Sequence, residues 1–119
     1  PVPFEKLTET RKAESSTEIR KRVTLARTIQ SLRFESMEYI HYNAQMSSKL
    51  IREFCVLEEV SLQLLKTAME RLNLSARAYD RILKVARTIA DLEAANSIQS
   101  HHVAEAIQYR SLDREGWLG

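Results

Sequence analysis

The 119-residue sequence predicts a single all-α domain, a small bundle of about five helices. Three observations carry that prediction. The two glycines are Gly116 and Gly119 and the two prolines are Pro1 and Pro3, so no helix breaker lies between Phe4 and Glu115. Apolar residues recur at intervals of three and four along most of that stretch. The residues between those runs are Asn and Ser, which stop and start helices without glycine. Apolar residues make up 44% of the chain and charged residues 29%, enough hydrocarbon to offset ordering entropy and exclude a disordered tail. No stretch approaches the ~20 apolar residues that a membrane span needs.

Taken in order, residues 1–14 read as an extended, polar lead-in, a linker from a preceding domain. Ser15 or Ser16 is expected to cap the first helix, with Glu18 in capping-box spacing to Ser15. Ile19, Val23, Ala26, Ile29 and Leu32 then form an apolar stripe to about residue 33. The next ten residues are irregular, with Asn43 a turn candidate. Ser47 or Ser48 caps a short helix carrying Leu50, Ile51 and Phe54. A third helix, about Leu57 to Leu72, is expected to bury Val60, Leu64, Leu65, Ala68 and Met69, and Asn73 to end it in the left-handed conformation. Ser75 caps the most regular helix, running to about Ala94. Asn96 repeats the stop and Ser100 the start, and the last helix carries Val103, Ala106, Ile107 and Tyr109. The helical domain is thus expected over residues 15–114, with 115–119 a tail containing Trp117.

Composition removes whole classes of function. Without internal glycine, neither a phosphate-cradling loop nor a dinucleotide fingerprint can form. Cys55 is the only cysteine, so no internal disulfide and no cysteine-based zinc spacing can occur. It reads as a buried apolar residue. No secretory signal precedes the domain, and a cytoplasmic location is expected. Because the chain begins at Pro1, it is expected to be part of a longer polypeptide. Net charge is +2 but uneven: between Thr17 and Arg33, Arg20, Lys21, Arg22, Arg27 and Arg33 face the single acid Glu18. A basic helix face is a candidate for meeting phosphate, and equally an ordinary solvated face.

The helix after Ser75 holds the one pattern that suggests chemistry. At 100° per residue, Arg77, Arg81, Lys84 and Thr88 fall within about 60° of one another. Tyr79, Ile82, Leu83, Ala86, Ile89 and Ala90 lie on the opposite side. Arg77 stands two places after the cap, where unpaired N–H groups and the helix dipole attract anions and a guanidinium can grip a phosphate in two parallel hydrogen bonds. The bland alternative is that one face of a half-buried helix must be polar. Arg87, on the border of the buried face, reads as a structural contact. Catalytic constellations are not apparent. Glu58 and Glu59 do not share a face, Asp80 and Asp91 lack a histidine or a metal spacing, and the neighbours His101 and His102 should diverge by about 100° on a helix. No metal site is expected.

The segment LSARAYDRILKVARTIADL at Leu74–Leu92 resembles the C-terminal lid domain of the magnesium-chelatase-related AAA+ ATPases, of the ComM/YifB type. Further blocks in matching order are PVPFEKL at Pro1–Leu7, ESSTEIRKRVTLAR at Glu14–Arg27, NAQMS at Asn43–Ser47, AMERLNLSARAY at Ala68–Tyr79 and AEAIQYRSLDR at Ala104–Arg114. The sequence departs from the family at Glu93–Asn96, where a glycine is usual, so Asn96 is expected to make the stop. At His101 relatives often carry an acid.

The resemblance implies a lid that closes over ATP held by an α/β core in the same polypeptide. It also implies that Arg77 matches the sensor-2 arginine reaching nucleotide phosphate, with Arg81 and Lys84 as companions in nucleotide binding. ATP and Mg²⁺ would belong to the whole protein, with neither bound by this chain alone, which would be inactive by itself. The expected partners are the protein's own core and other copies in a homo-oligomeric ring, a hexamer, with DNA as the material remodelled and no membrane. The alternative is a free-standing basic helical module that binds nucleic acid.

Overall fold

The computed structural model describes residues 4–114, with side-chain surroundings for residues 16–110. Trp117 and the tail lie outside the described residues. Five α-helices follow in chain order: α1 (Phe4–Arg33), α2 (Ser48–Phe54), α3 (Glu59–Arg71), α4 (Ala76–Leu92) and α5 (Ser100–Arg114). A short 3-10 turn at Asn43–Gln45 precedes α2. No strand forms among the described residues; a single parallel bridge, Leu57 to Ile98, ties the α2–α3 connection to the α4–α5 connection. The all-α bundle is the architecture that the absence of breakers dictates.

Helix α4 is the centre of the bundle. It packs against α1, α2, α5 and the 3-10 turn, while α3 packs on α5. Its Ala78, Ile82, Leu83, Ala86 and Ala90 are buried, which is the expected stripe widened to receive neighbours on several sides. Small alanines let α1 and α5 approach closely. Phe34, Met46, Ile51, Leu65, Ile98 and Val103 complete one contiguous core.

The caps follow the sequence closely in three places. Ser47 Oγ accepts from the Leu50 N–H and Ser75 Oγ from the Ala78 N–H. Asn73 ends α3 at φ 51°, with Leu74 N–H donating to Met69 O and Asn73 N–H to Glu70 O. The second stop differs from expectation. Ala94, not Asn96, takes the left-handed conformation, at φ 56°, while Ala95 N–H donates to Ala90 O and Ala94 N–H to Asp91 O. This is the same paired closure as at Asn73, made by a residue whose Cβ opposes it.

Other expectations are corrected. The lead-in expected to be extended is helical from Phe4 onward, so α1 runs straight through Ser15 and Ser16 and neither caps it. Pro1–Pro3 lie outside the described residues. Ile19 is exposed because it precedes the part of α1 that meets the bundle, which begins at Val23; Leu32 is exposed because the face turned inward there carries Ala26, Gln30 and Arg33. Val60 and Leu64 are exposed too, since α3 buries Ser61 and Leu65 instead. Ser100 lies inside α5 with its hydroxyl 3.0 Å from that of Ser61. The residue before the helix is Gln99, whose N–H donates to Nδ1 of His102, in the first turn, at 2.9 Å.

Candidate functional site

The N-terminus of α4 opens the candidate site. Ser75 Oγ occupies the Ala78 N–H, and helix geometry leaves the N–H groups of Ala76 and Arg77 without an intrahelical partner. Arg77 is exposed and makes no hydrogen bond or ion pair within the described residues. Arg81, one turn on, is also exposed, and Arg110 reaches the same corner from α5. Ser75, Arg77, Ala78, Arg81 and Arg110 line a recess of about 210 Å³. Three guanidinium groups therefore border the positive end of one helix dipole, an arrangement that favours an anion. Arg110 did not stand out in the sequence because it lies 33 residues beyond Arg77 on another helix. The one hint was its place in the AEAIQYR block.

Beside the recess runs a groove of about 940 Å³, lined in part by Arg77, Arg81 and Lys84 and by Met46, Ile51, Val85, Ile89 and Leu92. The stripe seen on the wheel is thus one edge of an apolar trough. Its second half is less exposed than a solvated face would be. Lys84 Nζ donates to Ala44 O at 3.3 Å, and Thr88 Oγ1 accepts from Asn43 Nδ2 at 3.1 Å. The loop carrying the 3-10 turn leans against α4 there. Asp80, on the same wall, accepts from Ser48 Oγ at 2.6 Å and joins α4 to the start of α2.

A buried polar knot fixes that wall from behind. Asp91, wholly excluded from solvent, accepts two hydrogen bonds from Arg33, Nη2 to Oδ1 at 2.7 Å and Nη1 to Oδ2 at 2.8 Å. Asn43 Nδ2 donates to Oδ2 at 2.8 Å and Arg87 Nε to Oδ1 at 3.2 Å. Arg87 then spends its remaining donors on the carbonyls of Ala95 and Asn96, just past the end of α4. Asn43 also accepts from Arg33 Nη1 at 2.8 Å, and its own N–H donates to Gln30 Oε1. One carboxylate therefore joins α1, the 3-10 turn and the closing turn of α4. Arg87 is the structural contact its wheel position suggested, whereas Arg33 leaves the exposed basic set it was counted in.

At that same closing turn, His101 and His102 do not diverge. Their rings lie 3.9 Å apart, and both Nε2 atoms reach Glu93 Oε1, at 2.9 and 3.0 Å. The three ligand atoms are close enough to hold a metal ion. Protonation argues against it. His102 Nδ1 accepts from a backbone N–H, so the neutral ring carries its proton on Nε2 and donates to Glu93. A metal at Nε2 needs the opposite tautomer, with the far nitrogen donating. Hydrogen bonds from the two histidines, His101 first, hold Glu93 below its ordinary carboxylate pKa of 4.5. The cluster is a latch on the α4–α5 turn. Cys55 is buried, and desolvation pushes its thiol up to about 11, so it is a core residue and not a nucleophile.

Residues 13–110 match the family "Magnesium chelatase, subunit ChlI C-terminal". The chain is 41% identical over 103 residues to the uncharacterized protein YifB of Salmonella typhimurium, and 41% identical over 103 residues to the competence protein ComM of Haemophilus influenzae. Each match covers 87% of this chain and 19% of the relative. A mycobacterial relative, Mb2921c of Mycobacterium bovis, is 35% identical over 97 residues, 82% of the chain and 19% of its own length. The chain spans about a fifth of the length of these relatives. With the match running from α1 into α5, the chain belongs to the magnesium chelatase ChlI C-terminal domain family.

Proposed function

We propose that this domain is the lid of an ATP-hydrolysing motor, closing on a nucleotide held by another part of the same polypeptide, with Arg77 reaching the terminal phosphate. The observation that carries this reading is the recess at the start of α4. There an exposed guanidinium without an internal partner stands beside Arg81 and Arg110 at a helix N-terminus. These residues suit a polyphosphate: bidentate donors supply geometry, and the helix dipole adds attraction without a countercharge. Lys84 lies farther along the groove and would meet the nucleotide or the core surface rather than the same phosphate. The buried Asp91 knot holds α4 rigidly to α1, so a movement of the lid carries Arg77 with it as a unit.

The chemistry follows from where Arg77 can act. It contributes only when the lid is closed, so the terminal phosphate favours the closed state by the strength of that contact, and its loss after hydrolysis removes the preference. Mg²⁺ would be held with the nucleotide by the core. The whole protein would work in the cytoplasm as a homo-oligomeric ring, a hexamer, acting on DNA. The support for DNA is the basic α1 together with the likeness to a competence protein, ComM. The test is steady-state ATP hydrolysis by the full-length protein carrying Arg77→Ala. Turnover should fall well below that of the unaltered protein while the melting temperature stays put. Unchanged turnover would remove Arg77 from the mechanism.

A further inference from the structure

The groove beside α4 has an apolar floor that a phosphate held at the recess does not use. Val85, Ile89 and Leu92 are half-buried along it, and Tyr109, 53% exposed, stands on the α5 wall. A trough of about 940 Å³ is of the size that takes a large apolar group. Helix α5 leads to its open end. α5 runs antiparallel to α4: His101 meets Glu93 just past the end of α4, and Arg110 shares the recess with Arg77 at the start. Glu105 and Tyr109 line the groove one turn apart, and α5 ends at Arg114. The chain therefore leaves α5 about one turn beyond the start of α4.

The residues that follow are Glu115, Gly116, Trp117, Leu118 and Gly119. Gly116 is the first glycine of the chain, and it falls where a reversal of direction is eased by the lack of a Cβ. Trp117 is the only tryptophan, with Leu118 beside it. Arg114 lies about 7.5 Å of helix past Tyr109, and three extended residues span about 10 Å, so Trp117 can reach back to the level of Tyr109. We propose that residues 115–119 turn back over α5 and seat Trp117 against Tyr109 and Val85, with Leu118 toward Ile89. The groove is then a dock for the segment that follows α5. An indole suits it, because it removes a large apolar surface from water while fixing only two side-chain torsions. No other undescribed part of the chain can serve: Pro1–Pro3 precede α1, which first meets the bundle at Val23, about 30 Å of helix away. The seating needs no role for Arg77 and stands or falls apart from the nucleotide reading.

Because Trp117 is the only tryptophan, its fluorescence in the 119-residue chain reads the seating directly. In the folded chain its emission should lie to the blue of that in the urea-unfolded chain and resist quenching by acrylamide, to the same degree at every protein concentration. Two variants alter the dock, Tyr109→Ser at an exposed position and Val85→Gln on the floor. A third, Leu118→Ser, alters the segment itself and leaves the bundle untouched. Each should shift the emission to the red and expose Trp117 to acrylamide, while circular dichroism shows the same helix content. A folded chain whose Trp117 emits and is quenched as in urea would overturn the proposal. So would a shielded Trp117 that neither Tyr109→Ser nor Val85→Gln exposes, since it would be seated elsewhere. Shielding that disappears on dilution would overturn it too, by making the occupant another copy's segment.

Discussion

Arg33 and Asp91, 58 residues apart in sequence, meet in a two-point ion pair of 2.7 and 2.8 Å at the junction of α1 and α4. A carboxylate excluded from water survives as an anion only if its oxygens are fully occupied. Here two guanidinium groups and the Asn43 amide do that. The pair is consequently more a matter of geometry than of net stabilisation: it sets the angle at which α1 leaves the bundle and holds the wall that carries Arg77.

Replacing Asp91 should therefore be severe. Asp91→Asn leaves Arg33 and Arg87 facing each other without a countercharge, and removing one partner of a buried pair costs about 3–5 kcal/mol. Urea unfolding should show the midpoint falling sharply, whereas Lys84→Ala, at an exposed hydrogen bond, should move it little. An Asp91→Asn domain as stable as the parent would mean that the knot contributes nothing.

Ala94 offers the opposite case. Its φ of 56° opposes the Cβ, and glycine would relieve that crowding at the cost of a looser unfolded chain. Ala94→Gly should raise stability by roughly 0.5–1 kcal/mol, read as a higher urea midpoint with an unchanged slope.

The latch at Glu93 makes stability depend on pH in one direction. Because folding lowers the Glu93 pKa below 4.5, the unfolded chain takes up that proton first as acid is added. The contribution is whole above about pH 4.5 and fades as pH falls through the lowered folded value. Glu93→Gln should flatten this part of the profile. A variant whose acid unfolding curve overlays the parent's would dismiss the latch.

Cys55, with a thiol pushed up to about 11 by burial, should resist alkylation at pH 8, where only about a thousandth of the buried thiol is thiolate. Modification should instead track global unfolding in denaturant. Rapid labelling of the folded chain would contradict its burial.

Much of this architecture was legible from local rules. Ser47 and Ser75 cap and Asn73 stops because a hydroxyl or a left-handed turn acts within a few residues. The α4 stripe was equally plain, since a central helix repeats its buried face over four turns. What periodicity does not give is the partner of a face: Val60, Leu64 and Leu32 fit an apolar stripe yet face outward. Nor could it find Asp91, whose meaning lies in residues on α1 and the 3-10 turn, or Ala94, where nothing in alanine announces a positive φ. Of the proposed phosphate site, Arg77 was legible by its distance from the cap, and Arg110 was hidden by its separation in sequence. The charged run before Ser15 showed no apolar stripe, which concealed the first turns of α1.

The most direct measurement is nucleotide discrimination by the full-length protein. Titration with a fluorescent, non-hydrolysable ATP analogue and with the matching ADP compound should show the unaltered protein preferring the triphosphate. Arg77→Ala should erase about tenfold or more of that preference, since a hydrogen bond to a charged group contributes about 1.5–3 kcal/mol and 1.4 kcal/mol is a factor of ten. ADP affinity should barely move. An Arg77→Ala protein that still favours the triphosphate to the same degree would contradict the lid mechanism proposed for this domain.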